Sequence, residues 1–267
     1  MNEIVNTHRN EAEVIFLAEG AQDVDAYTFT PSAYTIAPGG AKSFIDKNGE
    51  PLAVPVAGLI IDSVVTANYW PLKDGNKIPF CSSIGGVYGS VNLSYTEDDL
   101  TAASAPRTPH AFALQMLAGQ PTHDRYSCAS CAMNQWGSAH QSNATATGKA
   151  CSEKRRLLFV PDGWHMPLLL TLPTTSCKGW DSYCSAVRSR HGLPYYAFRI
   201  SFDIERKMSA KNQPYGVVIP SMAGKISDEK VAQYIITLQK RFRELLRTMD
   251  VVLDESAAPG SESTAFE

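Results

Sequence analysis

Four of the six cysteines are spaced as ligands for one metal ion. Cys128 and Cys131 form a Cys-x2-Cys pair, whose two thiolates can bind the same cation from a single tight turn. Cys151 follows after 19 intervening residues, and Cys81 can approach from the end of an earlier strand. Tetrahedral zinc takes four such soft ligands. The spacing therefore predicts a structural zinc site made by Cys81, Cys128, Cys131 and Cys151, with no open position for catalysis.

Basic residues crowd around the last of these cysteines. They are Lys149, Lys154, Arg155 and Arg156. A zinc knuckle that holds cations beside an aromatic side chain, here Trp136, is a common way to bind the phosphates and bases of a nucleic acid. The ordinary alternative is a solvated basic edge, but the position beside the metal site favours phosphate binding.

Five further residues are candidates for nucleic-acid contact. Tyr69 and Trp70 stand at the end of a predicted strand, where their rings could stack on bases, although most aromatic side chains pack in cores. Arg199 lies on the outward face of a strongly alternating strand, and Arg190 and Lys178 come from the helix before it. Acidic residues share the face of Arg199, which weakens the prediction at that position.

The composition of the chain limits the classes of protein to which it can belong. The 267 residues are 44% hydrophobic, which is enough for a core, and no apolar run approaches the ~20 residues that span a bilayer. The first residues are polar and acidic, unlike a signal peptide. The sequence therefore predicts a cytoplasmic protein with no membrane contact, in which cysteines bind metal or are buried rather than forming disulfides.

The charges are segregated along the chain. Residues 1–148 carry net charge −7, residues 149–247 carry +9, and residues 248–267 carry −5. A total of −3 thus conceals a basic segment that could bind a polyanion and an acidic C-terminal tail. The alternative is a mixed, solvated surface.

The predicted elements occur in the order strand, metal-binding insertion, strand, strand, helix, strand, strand, and a C-terminal helix follows. A five-stranded oligonucleotide-binding (OB) barrel has its helix between strands 3 and 4, as here. The sequence therefore predicts a mainly β (α+β), OB-like barrel with a zinc-knuckle insertion. We expect residues 1–250 to form one nucleic-acid-binding domain with the insertion at about 81–151, and residues 251–267 to be a disordered acidic tail. The predicted strands are 56–70, 155–161, 165–172, 196–205 and 215–220.

Several strings resemble a known family: CASCAMNQWGSA, GKACSEKRRLLF, LPTTSCKGWDSYCSAV, YAFRISFDIERK and QPYGVVIP. They are similar to phage-encoded single-stranded DNA-binding proteins, and the similarity covers about residues 57–247. The resemblance implies a barrel with a zinc insertion that coats single strands in DNA replication or recombination, with the same four cysteines as ligands. A long loop after Trp136 and the absence of a second Cys after Cys151 leave the fourth ligand open, with His123 or His140 as alternatives to Cys81.

These patterns predict a non-catalytic single-stranded DNA-binding protein, since no phosphate-binding loop, HExxH or GxSxG motif occurs. If the chain is phage-encoded, it would act in the host cytoplasm, and its acidic tail could bind replication or recombination proteins. The alternative is a zinc-stabilised regulator that binds a protein partner such as a polymerase.

Overall fold

The computed structural model describes residues 31–70, 79–92, 126–141, 148–209 and 212–248. These residues form a mainly β structure with two α-helices, which confirms the predicted class. The helices are α1 (Thr174–His191) and α2 (Glu229–Thr248). The strands are β1 (Ala33–Ile36), β2 (Ser43–Asp46), β3 (Pro51–Ala53), β4 (Val56–Tyr69), β5 (Cys81–Ile84), β6 (Tyr88–Val91), β7 (Tyr126–Ser127), β8 (Cys151–Pro161), β9 (Leu168–Leu172), β10 (Phe198–Met208) and β11 (Pro214–Lys225).

Strand β4 organises the sheet. It pairs antiparallel with β8 along most of its length, with β10 at its beginning and with β5 at its end. Gly58 lies where β8 and β10 flank β4 on opposite sides. A Cβ atom at Gly58 would lie 2.1 Å from the main-chain oxygen of Val160, so only glycine fits there. The end of β4 reaches the cysteine-bearing strands, and a rigid strand therefore leads directly to the candidate site.

The predicted order of elements is present, but the barrel does not close. The sheet runs β3-β2-β1-β9-β8-β4-β5-β6-β7, and β10 and β11 branch from β4. The N-terminal strand β1 pairs in parallel with β9, at the edge where a closed barrel would place β11. In the described part of the chain β11 pairs with β10 alone. The prediction of a closed five-stranded barrel is therefore wrong, because an element that had no clear pattern in the sequence occupies the closing edge.

Side chains from two other segments fill the gap beside β11. The main-chain nitrogen of Val218 donates a hydrogen bond of 2.9 Å to the Ser176 hydroxyl at the start of α1. Two residues earlier on β11, the side chain of Ile36 lies so close to Gly216 that a Cβ there would be 2.8 Å from its Cγ2. The edge of β11 thus packs against α1 and the N-terminal segment instead of a neighbouring strand.

Two cores lie on opposite faces of β8. Leu157 and Phe159 belong to the first core, which Trp180 of α1 covers. Leu158 and Val160 belong to the second, which Leu238 of α2 covers. Coverage on both faces explains the unbroken apolar run of this strand.

Both helices bury an apolar face whose residues recur at spacings of three and four in the sequence. Cys177, Trp180 and Val187 of α1 are buried, and Cys184 packs against the first core. On α2 the apolar stripe is buried against the second core, and the described members of that stripe are Val231, Tyr234, Ile235, Leu238 and Phe242. The alternating strand is likewise confirmed, with Phe198, Ile200, Phe202 and Ile204 buried.

None of the helices in the described ranges combines the length and the apolar character needed to cross a bilayer. Several sequence predictions lie outside the described residues: the disordered tail at 251–267, the alternative ligand His123, and residues 1–30 of the predicted domain. The side chain of His140, the other alternative ligand, also lies outside them.

Candidate functional site

All four predicted ligands line one cavity. Cys81 begins β5, Cys151 begins β8, and Cys128 and Cys131 follow β7. Cys81 and Cys151 are both opposite Tyr69, on the strands that flank β4. The cavity holds about 20 Å³, which is room for one water-sized sphere. A long strand pair and a local turn thus bring together thiols that are 70 residues apart in the sequence.

We call the structure around this cavity the knuckle lobe (residues 79–92, 126–141 and 148–151). Its donor set fits zinc, since four thiols and no carboxylate line the cavity. Within the described residues, however, no three histidine, cysteine or acidic side chains already stand as a group that could hold a metal ion. The four thiols line one cavity without converging on a single point, so the cysteine side chains would have to move for a metal ion to bind.

Gly89 keeps the cavity open. It lies on β6 between the exposed residues Tyr88 and Ser90, and it faces the sulfur atoms. A Cβ atom at this position would lie 2.8 Å from Sγ of Cys81 and 3.8 Å from Sγ of Cys128. Even the smallest side chain would therefore crowd the thiols of Cys81 and Cys128.

Burial disfavours the thiolate form of Cys81, Cys131 and Cys151, whose pKa values are all raised. Burial, and secondarily the nearby Cys131 and Cys128, raises the pKa of Cys81 to about 12. Burial is also the largest cause of the raised pKa of Cys151 and of Cys131. A bound zinc ion reverses this electrostatic balance, because it deprotonates coordinating thiols and compensates their charge.

A hydrogen-bond network fixes the turn that carries Cys128 and Cys131. The Asn134 amide donates to the carbonyl of Cys128 at 2.9 Å, and the main-chain nitrogen of Asn134 donates to the carbonyl of Cys131 at 3.0 Å. Lys149 then binds both Asn134, at 3.2 Å, and Glu153, at 2.6 Å. Lys149 therefore fastens the turn to β8, and its charge is already paired.

The arginines that follow Cys151 have structural positions. Arg156 is fully buried on the face of β8 that α2 covers, so the prediction that it contacts a phosphate at the surface is wrong. Arg155 donates two hydrogen bonds to Asp181 of α1, at 3.1 and 2.7 Å, and its side chain is only 12% exposed. Lys154 is half-buried beside them and is also engaged in an interaction. The basic residues that follow Cys151 thus serve more to attach β8 to its neighbours than to expose positive charge to solvent.

The three predicted cations near β10 do not form one cluster. Lys178 and Arg190 are both exposed, but twelve residues of helix separate them by about 18 Å. The ring of His191 lies 5.1 Å from that of Phe198, so the end of α1 packs against the start of β10. Arg199 is ion-paired with Asp162 in the turn between β8 and β9.

The three aromatic residues that the sequence predicts to stack on bases differ in how far they are exposed. Trp136 is 79% exposed at the surface of the knuckle lobe, as its polar surroundings in the sequence indicate. Tyr69 is buried against Phe80 and the cysteines, so it cannot stack on a ligand at the surface, and that prediction is wrong. Trp70 is half-buried.

Sequence reasoning missed three residues of the knuckle lobe. They are Gly89, described above, and Val87 and Tyr88, which are 60% and 55% exposed. Gly85 and Gly86, both with positive φ, form the turn that precedes them. A glycine pair followed by large apolar residues was the available signal, because such a turn places those side chains at a hairpin tip.

No family model matches this chain, and no curated protein or solved structure is detectably similar to it. The resemblance to phage single-stranded DNA-binding proteins therefore stays a prediction that depends on the motifs and on the site.

Proposed function

We propose that the protein binds single-stranded DNA without catalysis, in phage DNA replication or recombination, and that one zinc ion organises its knuckle lobe. The observation that carries this proposal is the position of Trp136. A tryptophan that is 79% exposed follows a turn whose two cysteines line a four-thiol cavity. A rigid turn that displays an aromatic ring at low conformational cost is suited to stacking on unpaired bases.

The order of elements supports an OB-like domain. Strands β4, β8 and β9, helix α1, and strands β10 and β11 follow one another as in that fold, with the cysteine-bearing segment inserted between the first two strands. Helix α2 covers the outer face of β8 and β9. A bound strand would therefore contact the knuckle lobe and the exposed hairpin ends, rather than the middle of the sheet.

Cys81, Cys128, Cys131 and Cys151 would hold the zinc. A closed four-cysteine site supplies folding free energy and no catalysis. The chain's own part is to fix Trp136 and the lobe strands around that cavity, through Asn134 and Lys149.

The charges of the described residues support a moderate dependence of DNA affinity on salt concentration. Lys178 and Arg190 are exposed and make no ion pair in the part of the chain that the structure describes. Arg155 and Arg199 would first have to leave Asp181 and Asp162. Because such carboxylates offset the gain from a phosphate contact, we expect fewer released counterions than the 17 basic residues of 149–247 would allow.

Fluorescence anisotropy with labelled single-stranded DNA, duplex DNA and RNA of equal length tests the proposal. We expect the single strand to bind more tightly than the duplex, with log affinity falling linearly with log salt at about −0.7 per neutralised phosphate. The proposal fails if the zinc-loaded protein does not bind the single strand, or if it prefers the duplex.

A second candidate function is the zinc-stabilised regulator that binds a protein partner. Three large apolar side chains on the β10–β11 hairpin favour it, since Met208, Ile219 and Met222 are 40% exposed or more. If this candidate is right, substitution of these residues by serine would abolish partner binding, and the anisotropy titrations would show no DNA binding.

A further inference from the structure

A small sheet face beside the cysteine cavity has the composition of a nucleobase platform. Strands β5, β6 and β7 pair antiparallel, and residues alternate between the cavity and the solvent along β6. Gly89 faces the thiols, so Tyr88 and Ser90 face outward. Tyr88 is opposite Ser127, and Ser90 is opposite Ser82. One exposed aromatic ring thus shares this face with three serine hydroxyl groups, of which that of Ser127 is directly opposite it.

The spacing of these groups matches the size of a base. Opposite residues of an antiparallel pair have Cβ atoms about 4.5–5.5 Å apart, and alternate residues on one strand lie about 7 Å apart. A base stacked on Tyr88 would therefore have Ser127 and Ser90 within reach of its polar edge or its sugar. None of the three serine side chains has a hydrogen-bond partner within the described residues, so their hydroxyls are available to a ligand.

The backbone beneath Tyr88 is fixed before any ligand binds. The Ser83 hydroxyl donates to the carbonyl of Tyr88 at 2.6 Å. The main-chain nitrogen of Cys128 donates to the carbonyl of Val87 at 2.9 Å. Two hydrogen bonds and the adjacent thiol cavity hold the strand, so stacking on Tyr88 requires little ordering of the chain.

The charge of the face suits a phosphodiester chain. Residues 79–92 and 126–141 contain no aspartate or glutamate, whereas the whole chain carries 27. A polyanion approaching Tyr88 thus meets no fixed negative charge on the lobe. Base stacking and neutral hydroxyls, rather than cations, would supply affinity here.

We infer that Tyr88, with Ser82, Ser90 and Ser127, binds a single unpaired nucleobase on the outward face of β5–β7. This inference depends on the proposed function and adds to it a second base-binding position besides Trp136. It also predicts that part of the affinity is independent of salt, because the contact releases no counterions.

The test uses the full-length, zinc-loaded protein and two labelled strands of equal length, an oligothymidylate and a strand whose residues lack bases. Tyr88→Ala should weaken oligothymidylate binding by about 5- to 150-fold and leave binding of the abasic strand unchanged. Tyr88→Phe should retain nearly full affinity, because it keeps the ring. Gln233→Ala, which removes an exposed side chain on α2 outside the lobe, is the control and should bind like the wild type.

Two readouts separate a binding role from a structural one. Zinc content and melting temperature should not change in Tyr88→Ala, since the side chain is more than half exposed. Wild-type affinity of this variant for oligothymidylate overturns the inference while leaving the proposed function intact. Loss of affinity together with loss of zinc also overturns it, because Tyr88 would then act through the fold. If the wild type binds neither strand, the proposed function fails as well.

Discussion

Substitution of Gly89 by alanine is expected to weaken zinc binding selectively. The new Cβ atom would lie 2.8 Å from Sγ of Cys81, well inside the 3.5–4.0 Å of a comfortable non-bonded contact. In the metal-free protein the Cys81 thiol can turn aside, at a cost of at most about 1 kcal/mol. When zinc fixes the thiolate, the overlap must be accommodated as overpacking, which costs about 1–3 kcal/mol. The difference, about 1–2 kcal/mol, corresponds to roughly 5- to 30-fold weaker zinc binding.

Gly148 supplies the matched control for this substitution. It lies in the same lobe, but a Cβ atom there would have nothing within 4 Å, and its φ is not positive. Gly148→Ala should therefore bind zinc like the wild type, with stability unchanged or slightly raised.

Competition with a chromogenic zinc chelator measures the affinities, and thermal unfolding with and without zinc measures the coupled stability. Gly89→Ala should lose part of the zinc-dependent increase in melting temperature, while the metal-free proteins should melt at similar temperatures. Equal zinc affinity of the two alanine variants would refute the assignment of this cavity as the metal site.

Three other substitutions separate binding from folding. Trp136→Ala should weaken single-stranded DNA binding by about 1–3 kcal/mol in fluorescence titrations with no change in melting temperature, because the ring is exposed; a lower melting temperature at unchanged affinity would contradict this. Arg156→Ala should lower the free energy of unfolding in urea by about 3 kcal/mol or more and leave the salt slope of DNA binding unchanged, because the side chain is buried; a flatter slope in a stable variant would restore it as a phosphate contact. Ser176→Ala should cost about 1–3 kcal/mol and accelerate amide hydrogen exchange at Val218, which loses its acceptor; unchanged exchange there would show that the edge of β11 is held by other contacts.

Local periodicity explains what the sequence could predict. The alternation from Phe198 to Ile204 and the helical spacing of Trp180 and Val187 each identify a buried face without knowledge of its partner. The Cys-x2-Cys pair identifies a knuckle for a similar reason, because its two thiols are adjacent through one turn. In each case, the relevant contacts lie within a few residues of sequence.

Contacts between segments that are distant in the chain explain which features the sequence could not predict. The edge of β9 pairs with β1, whereas a closed barrel would pair it with β11. Which of these two strands pairs there depends on their relative stability in that position, and no local sequence pattern reveals it. Arg156 shows the same limit. A run of charges suggests a surface, but β8 is covered on both faces, and Arg156 lies on the face that α2 covers. Tyr88 was missed because its exposure depends on Gly89 facing the thiols.

Native mass spectrometry of the full-length protein, purified without added metal and mixed with an oligothymidylate, tests the central proposal most directly. The account predicts one zinc per chain and a complex of this zinc-bearing chain with the strand, and removal of zinc by a chelator should dissociate that complex. A chain that carries no metal, or a zinc-bearing chain that forms no complex with the strand, would contradict it.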